Sequence, residues 1–411
     1  MRKLSFILML GLSLIIALSG CKKRKNPTES VVLKQPGYLT FGEKPGWPAL
    51  DNPPLSNQFS FPNRKIVVTI PGEVPIDSLG HVPLTWKKKY PVLYFLTDFG
   101  QDALAFAQTY RVKDIADELT AKGEIQPMII VIADGNNPMG GDFYLNSIGG
   151  NYEKYIAEDV RLQIDTLFFT RIVNDSAHKR GISGVGMGGY GAFRVAMDYP
   201  LDYSSVSAIS APLSIDAGPN GDWFSDYLWF TAYDTTREDL YSSYSPYPDS
   251  NIVPITNPLN KTTPATNWLF AMALGFSPHD PGDSDSSSYF KIDQYPIGGP
   301  FRGVDLPFDS TGSLRISIWN KWLANDIKTL LAGPPKSGSL TNTKIYFDVG
   351  LQDSYMLQIA NENFYSFIAN QSLTYEPEYH KYTGYGDYPA DHFNFAFDRI
   401  VAILKFHSKN F

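Results

Sequence analysis

The chain has 411 residues, of which 43% are hydrophobic and 19% are charged, so most of it is expected to fold around a buried core. This length suits one large α/β domain with an insertion, or two smaller domains. The formal net charge is −7 and no long basic run follows residue 25, which argues against a nucleic-acid partner.

The first 20 residues have the pattern of a secretory signal that ends at a lipidated cysteine. Arg2 and Lys3 precede the apolar run LSFILMLGLSLIIAL, and the sequence LSGC, Leu18–Cys21, resembles the lipobox of bacterial lipoproteins. The alternative, an uncleaved membrane helix, is the weaker interpretation because the run is shorter than the roughly 20 residues that a span needs. Cys21 is the only cysteine, so no intramolecular disulfide forms. We expect a protein anchored by lipid at Cys21 in the bacterial cell envelope, on the periplasmic or extracellular side of a membrane.

The rest of the chain is predicted to hold a tether, residues 21–60, and one α/β domain, residues 61–411, with an irregular insertion at about 213–312. Strand-like runs alternate with helix-like runs: RKIVVTI, YPVLYFL, PMIIVIADG, HKRGISG and YSSVSAISAP are strands. After the insertion the alternation resumes with the single helix RISIWNKWLANDIKTLLAG and ends in the helix HFNFAFDRIVAILKFH. This alternation predicts a mostly parallel central sheet with helices on both faces.

The insertion contains aromatic residues and one acidic run. An aromatic cluster can grip a carbohydrate, although such clusters more often serve packing. Its members are Trp223, Tyr227, Trp229, Phe230 and Trp268. The run DPGDSDSSSYF lacks the ligand spacing of a calcium-binding EF-hand loop, so we expect a solvated loop, no metal site and no cofactor.

The stretch RGISGVGMGGYGAF has the form of a turn between a strand and a helix. Such a turn presents a nucleophilic serine between two small residues, which here are Gly184 and Gly188. The serine's own position is Gly186. The letters GVGMGG also fit the dinucleotide-binding pattern G-x-G-x-x-G. That pattern needs an acidic residue at the end of the next strand, which reads SAISAP, so a nicotinamide or flavin enzyme is not expected.

Five ordered segments resemble the esterase D / feruloyl esterase group of α/β-hydrolases, from about Lys65 to the C-terminus. They are YPVLYFLTDFG, VIADGNNPMGGDFYLNSIGGNYEKYIAEDV, ISGVGMGGYGAFRVAMDYP, DVGLQD and DHFNFAFDRI. Their order, nucleophile then acid then histidine, is that of α/β-hydrolases. The resemblance implies an α/β-hydrolase fold and carboxylic ester hydrolysis, with an acylated carbohydrate or a small ester as substrate.

The resemblance also implies a role for particular residues. A serine nucleophile needs a histidine base and a carboxylate that orients it. His392, expected to open the last helix, is the family-like base, and Asp353 is the family-like acid. Asp348 lies within a strand and is the weaker candidate. The two backbone N–H groups of the oxyanion hole come, by resemblance, from Met187 and Phe99.

The chain departs from the family at two positions of this site. Gly186 removes the nucleophile and suits the strained turn, whereas Asp98 stands where the family usually has glycine. An ionised carboxylate that faces the hole opposes a developing oxyanion. Another serine could replace the nucleophile. Ser183 is expected to point away from the site, whereas Ser210, at the end of the next strand, stays open as a substitute. If the remaining parts are intact, Gly186→Ser is expected to restore a nucleophile.

Three functions are compatible with this pattern. The first, which we favour, is an inactive member of the esterase fold that serves as a binding or structural lipoprotein. The second is an ester hydrolase that uses a substituted nucleophile or a water activated by His392. The third is a carbohydrate-binding protein that uses the aromatic insertion. The expected partners are a membrane, through the lipid on Cys21, and an acylated carbohydrate or small ester.

Overall fold

The computed structural model describes residues 39–41, 66–74, 88–137, 140–147, 150–168, 180–216, 264–279, 289–291, 303–308, 314–384, 388–392 and 394–411. The predicted signal and nearly all of the tether lie outside these ranges, as do Trp223, Tyr227, Trp229 and Phe230 of the insertion. Within the described ranges, no helix combines the length and the apolar character that crossing a bilayer requires.

The centre of the fold is a sheet of eight strands: β1 (Leu39–Phe41), β2 (Ile66–Thr69), β3 (Val92–Leu96), β4 (Ile129–Ala133), β7 (Arg180–Gly184), β8 (Ser205–Ile209), β11 (Lys344–Gly350) and β12 (Glu378–Tyr382). Their spatial order across the sheet is β1-β2-β4-β3-β7-β8-β11-β12. From β4 to β12 all neighbours are parallel, and only β1 and β2 run antiparallel to their partners. Two small hairpins pair β5 (Asn146–Ser147) with β6 (Gly150–Asn151), and β9 (Tyr289–Lys291) with β10 (Gly303–Asp305).

Helices cover both faces of this sheet. They are α1 (Ala103–Thr109), α2 (Val112–Ala121), α3 (Tyr152–Lys154), α4 (Arg161–Phe168), α5 (Met187–Asp198), α6 (Pro264–Phe276), α7 (Ile316–Leu323), α8 (Ile327–Ala332), α9 (Leu357–Ile368) and α10 (Ala396–Asn410). A π-helical turn, Tyr155–Val160, joins α3 to α4. Helices α1, α2 and α10 contribute to the apolar layer on one face, and α4 to α9 contribute to the layer on the other.

The strands are apolar on both faces because both faces are covered. Along β3, Tyr94 and Leu96 belong to one apolar layer, whereas Leu93 and Phe95 belong to the other. This is the pattern of a parallel sheet that is buried on both sides, and it confirms the fold class predicted from the alternation of strands and helices.

The predicted single helix RISIWNKWLANDIKTLLAG is two helices, α7 and α8. The break falls just before Asp326, whose side chain accepts a hydrogen bond from the Thr329 N–H and so caps α8. A short acidic side chain favours an N-cap over a position inside a helix, because it bonds the free N–H groups of the first turn.

The carboxyl ends of the parallel strands carry the residues that the resemblance singles out. Asp98 follows β3, Gly186 follows β7, and Asp353 follows β11. Strands β3 and β7 are direct neighbours, with Leu96 opposite Gly184. Open parallel sheets present their sites at this edge, where successive loops converge.

Candidate active site

The turn between β7 and α5 has the backbone conformation of a nucleophile-presenting elbow. Gly186 stands at φ 52° and ψ −114°, a combination that residues with a Cβ rarely adopt and that glycine reaches without strain. The Gly186 N–H donates to the Ile209 carbonyl at 2.8 Å, which ties the turn to the end of β8. The elbow is therefore formed, but it carries no side chain.

Close packing at Gly188 brings the start of α5 against the end of β3. A Cβ built on Gly188 overlaps the Leu96 carbonyl oxygen and lies 2.5 Å from the Thr97 carbonyl oxygen. A larger residue at 188 therefore requires the two backbones to separate. This contact holds Asp98, the residue after Thr97, directly across from the elbow.

The Asp98 carboxylate occupies the place that a serine side chain takes in an active elbow. A Cβ built on Gly186 overlaps Asp98 Oδ1 and lies 2.5 Å from Asp98 Cγ. Asp98 Oδ1 also accepts a hydrogen bond of 2.8 Å from the Met187 N–H, the predicted oxyanion-hole donor. Met187 is the first residue of α5, so its N–H has no partner within the helix and lies at the positive end of the helix dipole. Asp98 faces inward, and its carboxylate fills the oxyanion position.

The structure brings His392 and Asp353 to the same place. His392 Nδ1 donates to Asp353 Oδ2 at 3.0 Å, and His392 Nε2 donates to Asp98 Oδ2 at 2.9 Å. His392, Asp353 and Asp98 are 1%, 4% and 2% exposed, respectively, so all three are buried. His392 lies in the loop after β12 and does not open a helix, because α10 begins only at Ala396. The expectation that it opens the last helix is corrected, but the predicted pairing with Asp353 is present.

The two carboxylates keep the imidazole protonated. Burial alone lowers the pKa of His392, but the charges of Asp353 and Asp98 and their hydrogen bonds outweigh burial and raise this pKa to about 9. Burial raises the pKa of Asp353, but the His392 charge and hydrogen bonds from His392, Ser210 and the Tyr355 N–H hold it below its usual value. An imidazolium has no lone pair to take a proton from a hydroxyl or from water. In this arrangement His392 is therefore an acid at neutral pH, which counts against a water activated directly by His392.

A second buried ion pair, between Arg399 and Asp348, lies next to the site. Arg399 of α10 donates through Nε to Asp348 Oδ1 at 2.7 Å and through a terminal nitrogen to Ser210 Oγ at 2.7 Å. Ser210 in turn hydrogen-bonds to Asp353. Arg399 also donates to the His392 carbonyl at 3.3 Å. Asp348, the weaker candidate for the acid, thus pairs with Arg399, and the Ser210 hydroxyl is bonded to Arg399 and to the acid Asp353.

Two aromatic rings pack against His392. The Tyr355 ring meets the imidazole edge to face at a centroid distance of 4.6 Å, and the Trp268 ring does so at 6.3 Å. Trp268 is completely buried and packs on Tyr355 at 5.1 Å. Trp268 therefore belongs to the core and offers no exposed stacking surface to a sugar, which removes it from the predicted carbohydrate platform.

Two more of the residues singled out in the sequence, Phe99 and Ser183, are bonded or packed outside the His392–Asp353 pair. Phe99 follows Asp98 in the turn after β3, and its half-buried ring lies against Gly140, where a built Cβ meets Phe99 Cζ at 2.5 Å. Ser183 lies away from the site, as expected, and its Oγ accepts a hydrogen bond of 2.8 Å from Ser207. At the oxyanion position the hydrogen-bond donor to Asp98 Oδ1 is the Met187 backbone N–H.

Two expectations about this site change with the geometry. Gly186→Ser alone does not restore a triad in this arrangement, because the new side chain and the Asp98 carboxylate claim the same volume. Arg399 and Tyr355 were not predicted at all. The only sequence signal for them is position, since Tyr355 lies two residues after Asp353 and Arg399 lies one helical turn into α10.

Comparisons with known proteins place the chain in a family. The Esterase family model, described as "Putative esterase", matches residues 80–403. Over 107 residues the chain is 31% identical to the endo-1,4-beta-xylanase/feruloyl esterase of Xylanibacter ruminicola, a match that covers 25% of this chain and 14% of that protein. Over 205 residues it is 28% identical to Esterase Rv1288 of Mycobacterium tuberculosis, covering 48% of this chain and 41% of that protein. The matches thus span less than half the length of either relative.

Among solved structures, a ferulic acid esterase matches with a TM-score of 0.50 and 19% identity, covering 85% of this chain and 93% of that one. At this identity the likeness concerns the fold, which is the α/β-hydrolase fold predicted from the sequence. The family model covers most of the chain and spans the elbow and the residues that converge on it. The chain therefore belongs to the esterase family of α/β-hydrolase proteins.

Proposed function

We propose that this protein is a lipid-anchored envelope member of the esterase family that binds an ester ligand without serine-type hydrolysis. The observation that carries the proposal is the exchange at the elbow: Gly186 has no hydroxyl, and the Asp98 carboxylate takes up the vacated volume and the Met187 N–H. Removal of the serine from a working triad lowers kcat by about a millionfold. The doubly paired His392 adds to this loss because it enters the reaction already protonated.

The proposed ligand class rests on the family and on the activities for which its relatives are named. One relative combines a xylanase with a feruloyl esterase, and one similar structure is a ferulic acid esterase. A carbohydrate acylated with an aromatic acid is therefore the ligand we propose. The anchor follows from LSGC, Leu18–Cys21, and the preceding apolar run.

One experiment separates binding from hydrolysis. Purified full-length protein is mixed with a feruloylated xylo-oligosaccharide, binding is followed by calorimetry, and release of ferulate is followed by chromatography. We expect binding with ferulate release at the uncatalysed rate, and no labelling of the protein by a fluorophosphonate probe. Fluorophosphonate labelling, or release of ferulate at an enzymatic rate that Asp353→Asn abolishes, contradicts the proposal. Absence of binding removes the proposed ligand class.

A further inference from the structure

The Asp98 carboxylate is held as a reacting group is held, with a different polar partner on each oxygen. Oδ1 accepts the Met187 N–H at the N-terminus of α5, and Oδ2 lies 2.9 Å from His392 Nε2. His392 is oriented by Asp353, and Asp353 is supported by Ser210. The acid and base of a hydrolytic relay are thus present, and they are aimed at a carboxylate that stands at the nucleophile's position.

This arrangement is costly if its only purpose is to fill space. Three ionisable groups lie in a site with at most 4% exposure, and each charge loses its hydration there. An apolar side chain of similar volume at position 98 fills the same gap without desolvating a charge, and such replacements of buried ion pairs are often neutral or stabilising. The geometry therefore favours a chemical role for the carboxylate.

We propose that Asp98 is a nucleophile that opens small epoxides by forming a covalent ester, which the His392–Asp353 pair then hydrolyses to give a diol. This inference shares with the proposed function only the absence of serine chemistry. An sp³ carbon is the fitting target because its attack places no negative charge on a carbonyl oxygen of the substrate. A substrate carbonyl has no place at the Met187 N–H, since Asp98 Oδ1 already occupies it.

In the first step, a lone pair of Asp98 Oδ2 forms a bond to a ring carbon of the epoxide. The bond from that carbon to the ring oxygen breaks, and its electron pair goes to the oxygen, which takes the Nε2 proton of His392. The protonated state of His392 supplies the acid that this ring opening needs. The products are a neutral hydroxyalkyl ester at Asp98 and a neutral imidazole.

In the second step, the neutral imidazole takes a proton from water, and the water oxygen attacks Asp98 Cγ. His392 is suited to this role because esterification removes one of the two carboxylate charges that hold its pKa high. The carbonyl electron pair moves to Oδ1, where the Met187 N–H already points. The bond from Cγ to Oδ2 then breaks, and the diol leaves with Oδ2 and the proton from His392. The new Asp98 carboxyl returns its proton to His392, so one water is consumed for each epoxide.

The mechanism leaves an isotopic mark on one residue. Water attacks Asp98 Cγ, so the water oxygen stays on Asp98. When the protein turns over 1,2-epoxybutane in ¹⁸O-water, the mass of the peptide that contains Asp98 is therefore expected to rise by about 2 Da for each oxygen exchanged. The measurement is made by fragment mass spectrometry on the full-length protein, with a parallel sample that contains no epoxide. Asp98→Asn is expected to form diol only at the protein-free rate, whereas Asp114→Asn on α2 forms it at the wild-type rate.

Label at Asp98 that depends on the epoxide supports the proposal, whether or not Asp98→Asn folds. An unlabelled Asp98, with or without diol formation, overturns it. The outcome is independent of the ester proposal, which is judged by ferulate release and fluorophosphonate labelling. The two proposals therefore fail separately.

Discussion

At the scale of single residues, Asp98 and Gly186 compete for one volume, and only one of them can present a side chain there. A Cβ on residue 186 overlaps Asp98 Oδ1, and that oxygen also holds the Met187 N–H which a serine mechanism needs for its oxyanion. Gly186 and Asp98 are therefore coupled. A side chain added at 186 alone overfills the site, and removal of the Asp98 side chain alone leaves it without a nucleophile.

This coupling predicts that a serine esterase returns only when both residues change. Gly186→Ser alone is expected to stay unlabelled by a fluorophosphonate probe. Gly186→Ser combined with Asp98→Gly is expected to label at least about a hundredfold faster, because the hole is free and the members of a triad act as a unit. Loss of the Asp98 charge also lowers the pKa of His392 toward its usual value, so the imidazole becomes a base near neutral pH.

Other substitutions in the same site serve as controls for the double variant. Asp98→Gly alone must stay unlabelled, and addition of His392→Ala to the double variant must abolish labelling. Serine at φ 52° costs on the order of 1–3 kcal/mol of strain, so thermal unfolding is measured for each variant. Labelling of the single Gly186→Ser variant at the rate of the double variant contradicts the coupling.

The sequence was sufficient to predict the parts of the site that follow from chain order. Asp353, His392 and Met187 were predicted because each stands at a fixed place relative to a strand end or to the elbow, and the structure brings them together. The direction of the Asp98 side chain was not predictable, because it depends on how closely α5 approaches β3. Arg399 was missed because a buried arginine reads in the sequence as one more charge on an amphipathic helix.

At the scale of elements, a buried histidine attaches α10 to the sheet. His407 Nδ1 lies 2.7 Å from Ser205 Oγ and His407 Nε2 lies 2.8 Å from Ser207 Oγ, so both ring nitrogens are bonded to β8. Gly181 of β7 leaves room for the ring, since a built Cβ there overlaps His407 Nδ1. From the sequence alone this histidine had no recognisable context, because its serine partners lie far away along the chain.

Burial makes this attachment sensitive to acid. It lowers the pKa of His407 from 6.5 to about 3 in the folded protein. A lowered folded-state pKa means that the stabilisation is complete above the unfolded-state pKa of about 6.5 and is lost as the pH falls toward about 3. We expect the titration of His407 to lower the free energy of unfolding by about 1.4 kcal/mol for each unit by which the pH falls within that window.

Urea unfolding at several pH values tests this expectation. His407→Gln cannot titrate, so its stability is expected to depend less steeply on pH between about 6.5 and 4 than that of the wild type. The exposed His380 provides the matched control, and His380→Gln should keep the wild-type slope. Equal slopes for His407→Gln and wild type show that the ring titrates at an ordinary pKa, which contradicts its burial between the serines.

At the scale of the whole molecule, a parallel sheet with two apolar layers positions every group of the site. Strands β3, β7, β8 and β11 lie next to one another, so the loops after them meet at one edge. The alternation of strands and helices was enough to predict this architecture, since apolar runs of strand length separated by helices leave few other arrangements. The antiparallel β1 and the break between α7 and α8 were not predicted, because pairing partners and caps are decided by tertiary contacts.

The N-terminal segment predicts that the molecule is held at a membrane. The n-region, the short apolar run and LSGC predict that Cys21 carries lipid, and two or more acyl chains give stable anchoring because each buried methylene contributes about 0.8 kcal/mol. In cells that express Cys21→Ser, we expect the protein to incorporate no labelled fatty acid and to move from the membrane fraction to the soluble fraction.

The control variant Lys25→Ser leaves the cysteine in place and should behave as wild type. Because Cys21 is the only cysteine, no other thiol can take up the acyl chains. Undiminished lipid labelling in Cys21→Ser contradicts lipidation at this residue. Loss of label with unchanged membrane association shows instead that the apolar run stays uncleaved and anchors the chain as a helix.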